Sequence, residues 1–319
     1  MKHHFLRVVG ALLTAALLLL QPFCEMRVRA VFLPEIPNTN RTLSVPTQVK
    51  MIGKTCFLVD CYHNRVLYSG SPFTILTDWK VLDYEYKHPH DIAGDGEILM
   101  VADTDNDRIV TYEKEQGGYN RLQTLETGVR PHAVTFDEES GLFYVWSSMT
   151  GEMYRYKRTE GTHKVELQDV QSIPDLKDCY TRSFTILNGK IYLPSMGRSA
   201  IYVVDKDTFR VKKIYPVSPE VGGMVQLSRI QDNWYLTYSS DQAYDQSKHG
   251  LLRAGSLEDL QKGKWEELDR YLDGNAPYMI SRIGEQYFVP VTGDDEMPSG
   301  IYTFEVVANN LVNCSKIIQ

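Results

Sequence analysis

The sequence lacks the features that define several common protein classes. It has 5 cysteines in 319 residues, and no two of them have CxxC spacing, which argues against a zinc ribbon or a thioredoxin-like site. It contains no GxSxG, Walker-type, HExxH or EF-hand pattern, so the classes that depend on these motifs are excluded. No long segment has apolar residues at a period of 3.6, which excludes an α-solenoid. We expect most of the cysteines beyond the N-terminus to be free and buried: Cys56, Cys61, Cys179 and Cys314.

An excess of positive charge is also missing. The chain carries 34 basic and 41 acidic residues, a formal net charge of −7, whereas a nucleic-acid surface needs a basic field. We therefore expect no nucleic-acid partner. The chain does contain 43% hydrophobic residues, 22 glycines and 20 tyrosines. This globular, turn-rich and aromatic-rich composition favours β-structure.

The chain has one long apolar run, which lies at the N-terminus. Lys2 and Arg7 precede the run from Val8 to Leu20, which is shorter than the roughly 20 residues of a membrane-spanning helix. A basic start with a short apolar core predicts a secretory signal peptide over residues 1–30. The alternative is an uncleaved signal anchor, which is the one way in which we expect the protein to contact a membrane. We therefore expect a secreted or cell-surface protein.

The rest of the chain is built from internal repeats. Residues 46–66 align without a gap with residues 89–109, 43 positions later, and share Pro, Gly, Asp and Arg at equivalent positions. Four weaker copies follow, and they begin at Pro131, Arg182, Met224 and Pro277. Each copy has a half-apolar strand, a tight turn, a strongly apolar strand and two looser strands.

Six such copies predict an all-β protein, a six-bladed β-propeller of four-stranded antiparallel blades. A β-sandwich does not explain an ungapped self-match of 21 residues at a spacing of 43 positions. We expect a single propeller domain over residues 46–319, in which the apolar second strands pack blade against blade. Residues 31–45 form a lead-in segment, which is either a linker or an edge strand that closes the ring. We expect the protein to be a monomer.

The second copy resembles an NHL repeat. The resemblance rests on Pro89, the Asp95-Gly96 turn, Val101-Ala102-Asp103, Asn106 and Arg108-Ile109. The resemblance is good in the first two copies, whereas the last three copies keep only the pattern of hydrophobic residues, the hydrophobic frame. The resemblance implies an NHL-like six-bladed ring. It implies no particular activity, because such rings host enzymes, sugar binders and protein scaffolds.

The first strands of a propeller converge at one mouth of its central channel. At that mouth the repeat alignment places a ring of polar or amphipathic residues: Thr47, His90, His132, Ser183, Gln226 and Tyr278, with Arg182 beside Ser183. The second strands end near the same face, at Asp60, Asp103 and Ser147. We predict that these ten residues form a ligand-binding site. The alternative for Asp60 and Asp103 is structural, since each could cap a turn or pair with Arg65 or Arg108.

Three classes of function fit this ring. In the first, the polar mouth, rimmed by aromatic residues such as Tyr62 and Tyr244, binds a glycan, a peptide or a protein partner. In the second, the protein is an enzyme. In the third, it is a structural or assembly protein of a cell-surface complex, which it contacts through the loop at residues 240–250. The first class is our principal hypothesis, and the sequence leaves open whether the protein is an enzyme.

The enzyme would be a metal-assisted lyase or hydrolase. Some NHL-like rings resemble peptidyl-hydroxyglycine lyases, which hold zinc with three axial histidines. Only His90 and His132 occupy such positions here, so they are the candidate ligands of a divalent metal and the candidate catalytic bases. Arg182 and Tyr278 would then stabilise negative charge in the reaction. No other cofactor is indicated.

Overall fold

Six antiparallel sheets follow one another along the chain in the computed structural model, which describes residues 30–294 and 297–318. Each sheet is built from one copy of the sequence repeat, and together they form a six-bladed β-propeller. The structure confirms the all-β fold and the four-stranded antiparallel blades that the repeats predicted. The predicted signal peptide falls almost entirely on residues 1–29, which lie outside the described residues.

The strands follow the order of the chain. The lead-in segment contains β1 (Val31–Pro34) and β2 (Ile36–Pro37). Blade 1 contains β3 (Pro46–Ile52), β4 (Thr55–Asp60), β5 (Arg65–Ser69) and β6 (Lys80–Asp83). Blade 2 contains β7 (Pro89–Gly94), β8 (Ile98–Asp103), β9 (Arg108–Glu115) and β10 (Gly118–Glu126). Blade 3 contains β11 (Pro131–Asp137), β12 (Leu142–Ser147), β13 (Glu152–Arg158) and β14 (Val165–Ser172).

Blades 4 to 6 form the second half of the ring. Blade 4 contains β15 (Thr185–Leu187), β16 (Lys190–Ser195), β17 (Ala200–Asp205) and β18 (Val211–Pro216). Blade 5 contains β19 (Met224–Ile230), β20 (Asn233–Tyr238), β21 (Gly250–Ala254) and β22 (Glu266–Glu267), with the helix α1 (Leu257–Gln261) between its last two strands. Blade 6 contains a split inner strand, β23 (Ala276–Pro277) and β24 (Ser281–Ile283), and then β25 (Gln286–Thr292), β26 (Gly300–Val307) and β27 (Asn310–Ile318). Single 3₁₀ turns lie at Cys61–His63, Leu76–Asp78, Thr104–Asn106, Pro174–Leu176, Pro219–Val221 and Asp269–Tyr271.

Apolar clusters fill the spaces between neighbouring blades around the whole ring. Trp146 of β12 shows how a second strand contributes, because its side chain is fully buried between blades 3 and 4. Its indole N–H also donates to the Thr181 carbonyl at 2.9 Å. Complete burial of one large apolar side chain stabilises a fold by about 1.5–3 kcal/mol. The prediction that the second strands pack blade against blade is confirmed.

The lead-in segment does not close the ring. Strand β1 pairs with β10, and β2 pairs with β6, so the segment adds a fifth, outer strand to blades 2 and 1. The ring closes instead through side chains of blades 6 and 1. Phe288 and Ile301 share an apolar cluster with Leu58, and Ser281 Oγ donates to Gln48 Oε1 at 2.6 Å. The edge-strand alternative is therefore confirmed only in part, because these strands cover outer edges of the blades.

Two further features concern cysteines and helices. The four described cysteines are free, and three of them are buried: Cys56, Cys61 and Cys179, with Cys314 half-buried. This confirms the expectation drawn from the sequence.

Among the described residues, no helix has the length and apolar character needed to cross a membrane.

Candidate functional site

The inner strands of blades 1 to 3 share a β-bulge at the predicted mouth. In blade 1 the strand pairing shifts between Pro46 and Gln48, which leaves Thr47 as the extra residue. The same shift makes His90 and His132 the bulged residues of blades 2 and 3. A bulge breaks the regular alternation of side chains and re-aims the extra residue. The repeat therefore places chemically different side chains at one equivalent position.

Blades 4 and 5 differ from the repeat alignment by one residue. In blade 5 the bulged residue is Val225, not Gln226. In blade 4, Thr181 takes the first pairing position, opposite Ser195. Arg182 directly follows Thr181 and so takes the place that the alignment assigned to its neighbour. The offset was not detected because these copies share only a hydrophobic frame with the first two.

An apolar plug divides the central channel into two cavities. The plug consists of Val225, Tyr278 and Met279. Tyr278 lines a cavity of about 520 Å³ at the predicted mouth, the mouth cavity. Met279 lines a cavity of about 370 Å³ at the other end, the opposite cavity. The wall of the mouth cavity includes Tyr62, His90, Tyr180, Arg182, Ser239 and Tyr278.

The structure separates the predicted site residues. His90, Arg182 and Tyr278 line the mouth cavity, so three of the four candidate catalytic residues lie together. Ser183 and Gln226 line the opposite cavity instead. Their expected position at the mouth was wrong because of the one-residue offset.

Thr47, Ser183 and Gln226 connect neighbouring blades. Thr47 Oγ1 donates to the His90 carbonyl at 2.7 Å, and Ser183 Oγ donates to the Val225 carbonyl at 2.5 Å. Gln226 Oε1 accepts from the Ile280 backbone N–H at 2.6 Å. The hydrogen bonds of these three side chains therefore hold neighbouring blades together.

Asp60 and Asp103 are fully buried and pair with arginines. Asp60 accepts from the Ser44 backbone N–H at 2.7 Å and from Arg65 Nε at 2.8 Å. Asp103 accepts from the Lys87 backbone N–H at 2.7 Å and from Arg108 Nε at 2.6 Å. The structure therefore shows the structural role in its arginine-pairing form, and neither side chain caps the 3₁₀ turn that follows it.

His90 is held in one tautomer. Its Nδ1 lies 2.9 Å from both the His88 carbonyl and Thr104 Oγ1. The Thr104 hydroxyl donates its own hydrogen to the Pro131 carbonyl at 2.7 Å, so both neighbours of Nδ1 can only accept. The hydrogen of neutral His90 therefore sits on Nδ1. The Nε2 lone pair lies 3.6 Å from Cys61 Sγ, whose thiol can donate to it.

His132 lies behind His90, and both rings are uncharged. His132 is fully buried, and neither of its ring nitrogens has a hydrogen-bond partner of good geometry among the described residues. Burial lowers the pKa of His132 well below its usual value. Burial, assisted by the positive charge of Arg130, lowers the pKa of His90 to about 3. A neutral imidazole pair therefore lies beside the mouth cavity at pH 7.

Tyr180 carries two guanidinium groups against its ring. The Cζ atoms of Arg182 and Arg130 lie 5.0 Å and 5.2 Å from the ring centroid, within cation–π range. Arg182 Nη1 also donates to Ser239 Oγ. These contacts hold the Arg182 side chain, which is 8% exposed, against the wall of the cavity.

Buried polar atoms without a partner gather in blades 3 and 4 near this end of the channel. They include Nε of Arg130 and Arg182, both ring nitrogens of His132, and the hydroxyls of Ser147, Ser148, Thr181 and Ser195. Strand pairing sets Ser147 opposite Pro131, next to His132, and Ser195 opposite Thr181, next to Arg182. Buried polar groups are nearly always hydrogen-bonded. Unpartnered groups gathered in this way indicate where a ligand or ordered water binds.

The described residues hold no group of three or more His, Cys, Asp or Glu side chains placed to bind a metal ion. The rings of His90 and His132 lie against each other, and their planes are tilted by 34°. Zinc sites use three or four protein ligands, and the described residues supply no third ligand beside this pair. The geometry of the two candidate ligands therefore does not favour the metal-assisted alternative.

Sequence reasoning missed three residues of the site, namely Cys61, Arg130 and Tyr180. Arg130 and Tyr180 lie in the segments that enter blades 3 and 4, outside the aligned copies. Cys61 follows the last residue of β4 directly. Their positions in the chain could have identified these residues, because residues just before a first strand or just after a second strand lie at the mouth.

The fold is similar to that of several solved structures, whose proteins have different functions. A candidate 6-phosphogluconolactonase from Bacteroides fragilis is 10% identical and has a TM-score of 0.60, over 84% of this chain and 82% of that one. A second, from Bacteroides uniformis, is 11% identical with a TM-score of 0.55, over 82% and 80%. The hydrazine synthase of Kuenenia stuttgartiensis is 15% identical with a TM-score of 0.55, over 84% and 79%.

These similarities show the propeller fold alone. No protein-family profile matches the chain, and no curated protein matches it in sequence. Folds of this kind host many activities, so the function of this chain has to be argued from its own site.

Proposed function

We propose that this protein is a binding module that holds a ligand in the mouth cavity. The observation that carries the proposal is the unused hydrogen-bonding capacity there. The hydroxyls of Tyr62, Tyr180 and Tyr278 line the cavity and make no hydrogen bond with the described residues. Arg182 lines the same cavity, and its buried Nε has no partner among the described residues. Buried polar groups are normally hydrogen-bonded, so this nitrogen and the tyrosine hydroxyls support the assignment of a ligand to the cavity.

The size and walls of the cavity suit a small ligand or the tip of a larger one. Small-molecule sites commonly measure about 300–1,000 Å³, and the mouth cavity measures about 520 Å³. Tyrosine rings offer flat faces to a sugar ring or an aromatic side chain, and their hydroxyls offer hydrogen bonds. Burial raises the pKa of Tyr278 well above its usual value, so its hydroxyl keeps the hydrogen that it can donate. A glycan or a peptide is thus the ligand class that we propose.

Binding fits the site better than acid–base catalysis. A general base works best when its pKa lies near the operating pH, whereas the pKa of His90 is lowered to about 3 by burial and by Arg130. The lone pair of His90 also faces the thiol of Cys61. Burial raises the pKa of that thiol well above its usual value, so Cys61 is a poor nucleophile at neutral pH.

We also propose that binding takes place outside the cell, in the secreted or cell-surface location that the predicted signal peptide over residues 1–30 supports. The lead-in strands β1 and β2 lie on the outer edges of blades 2 and 1.

The test is a pair of cavity-filling variants. Purified protein is screened on glycan and peptide arrays, and each hit is measured again on Ala276→Trp and Ser228→Trp. Ala276 lines the mouth cavity and Ser228 lines the opposite cavity. Hits that are lost in Ala276→Trp and kept in Ser228→Trp support the proposal. Hits that survive in Ala276→Trp would place the binding site elsewhere and overturn it.

A further inference from the structure

Arg182 differs from the other deeply buried arginines of the described chain. Arg65, Arg121 and Arg182 are 2%, 9% and 8% exposed. Arg65 pairs with Asp60 at 2.7 Å, and Arg121 pairs with both Asp83 and Glu85. Within the described residues, Arg182 forms no ion pair with a carboxylate. A buried charge is costly unless it is paired, so the described residues maintain at Arg182 a charge that they do not neutralise.

The contacts of Arg182 hold its position and leave its charge uncompensated. Its Nη1 donates to Ser239 Oγ, its Nη2 donates to Met196 Sδ at 3.5 Å, and its Nε has no partner. Its guanidinium lies over the Tyr180 ring. A hydroxyl, a thioether and an aromatic face are neutral, and none of them replaces a carboxylate.

Arg182 and Asp294 are the two charged side chains, apart from histidines, among the described residues that line the mouth cavity. Nearby, Arg130 Nη2 pairs with Asp105 at 3.1 Å, and burial keeps His90 and His132 neutral. Arg182 therefore supplies a positive charge to the described wall of the cavity, and it matches a ligand group with a single negative charge.

We propose that Arg182 binds the carboxylate of a monoanionic ligand whose ring lies among the tyrosines of the mouth cavity. A guanidinium presents its N–H groups as a planar fork that matches the two oxygens of a carboxylate. Ser239, whose Oγ accepts from Arg182 Nη1, lines the same cavity. A phosphate dianion would carry one negative charge more than Arg182 neutralises. This inference rests on the proposed function, and it names the chemical class of the ligand.

The experiment compares matched charged and neutral probes. Binding of benzoate, benzamide, D-glucuronate and D-glucose to the purified protein is measured by saturation-transfer NMR, with inorganic phosphate as a fifth probe. The variants are Arg182→Met, Arg182→Lys and Arg282→Met. Arg282 lines the opposite cavity, so its replacement removes the same charge from the other end of the channel and serves as the control.

We expect each acid to bind about tenfold or more tightly than its neutral partner, since a hydrogen-bonded charge pair contributes this much. Arg182→Met should remove this preference, Arg182→Lys should restore part of it, and Arg282→Met should leave it unchanged. Equal binding of acid and neutral partner, or a preference that survives in Arg182→Met, would overturn the proposal. Tighter binding of phosphate than of the acids would overturn the assignment of a monoanion. The absence of any response at about 20 mM, a concentration that detects weak ligands, would also overturn it.

The same variants separate this inference from the proposed function. A neutral ligand that is lost in Ala276→Trp but kept in Arg182→Met would overturn the carboxylate anchor and leave the proposed function standing. Ligands that are insensitive to both substitutions would overturn both.

Discussion

The imidazole rings of His90 and His132 lie in contact on the inner strands of adjacent blades, with their centroids 3.8 Å apart and their planes tilted by 34°. They occupy equivalent bulges of the repeat, which is why two weakly related segments bring the same residue type together. Because burial keeps both rings neutral, their contact is apolar in character. The stability of the propeller should therefore depend on pH through this pair.

The first prediction concerns stability and pH. In the unfolded chain both histidines take up a proton as the pH falls below about 6.5. In the folded protein His90 does so only near pH 3, and His132 only well below its usual pKa. The unfolded state thus binds more protons, and the free energy of unfolding should fall as the pH falls from 6.5. Between pH 7 and pH 5.5, His90 alone should lower the free energy of unfolding by about 1 kcal/mol. Denaturant unfolding at the two pH values measures this change.

His132→Gln provides the control for this prediction. It removes one of the two titrating groups, so the loss of stability between pH 7 and pH 5.5 should be smaller than in the unmodified protein. Equal stability of the unmodified protein at the two pH values would show that the histidines are already protonated or exposed.

The second prediction concerns the stability effect of Arg182. Because no described carboxylate pairs with it, Arg182→Met removes a charge that burial penalises. We expect an unchanged or increased free energy of unfolding in the absence of ligand. Sites that bind ligands commonly retain such a cost in stability. A loss of more than about 2 kcal/mol would show instead that Arg182 is a structural residue.

Arg65 provides the opposite case, and a third prediction. Arg65→Met removes the partner of the fully buried Asp60 and leaves that carboxylate without its strongest compensation. We expect a loss of about 3–5 kcal/mol in denaturant unfolding, typical of a broken buried ion pair. If Arg65→Met and Arg182→Met had equal effects on stability, the distinction between structural and ligand-facing arginines would fail.

The fourth prediction concerns the lead-in segment. Removal of residues 1–37 takes away β1 and β2 and exposes the outer edges of β10 and β6. Unpaired edges promote self-association, so the shortened protein should associate as its concentration rises, whereas a chain starting at residue 30 should stay monomeric. Light scattering coupled to size-exclusion chromatography measures this difference. Monomers of both chains at all concentrations would show that the two strands do not protect the edges.

Much of the fold could be predicted from the sequence because the repeat records it directly. The spacing of 43 residues and the apolar second strands were enough to predict the six blades and their packing. His90 was placed correctly at the mouth because its copy aligns without gaps. Ser183 and Gln226 were misplaced because the fourth and fifth copies keep only a hydrophobic frame, and a one-residue bulge leaves no mark in such a frame.

The remainder of the site depends on segments that do not repeat. Tyr180 and Arg130 enter it from connections between blades, whose lengths and residues differ from one copy to the next. Cys61 was considered only as a packed thiol, and its contact with His90 becomes visible only in three dimensions. That no described carboxylate pairs with Arg182 is likewise a property of the packed ring, because the sequence alone, with its 41 acidic residues, does not show which of them pair.

The most direct test of the central claim is a crystal structure of the protein with benzoate. We predict that the carboxylate lies within hydrogen-bond distance of the Arg182 guanidinium and that the ring lies beside Tyr180 and Tyr278. Benzoate bound in the opposite cavity, or bound at the mouth with its carboxylate turned away from Arg182, would contradict the claim.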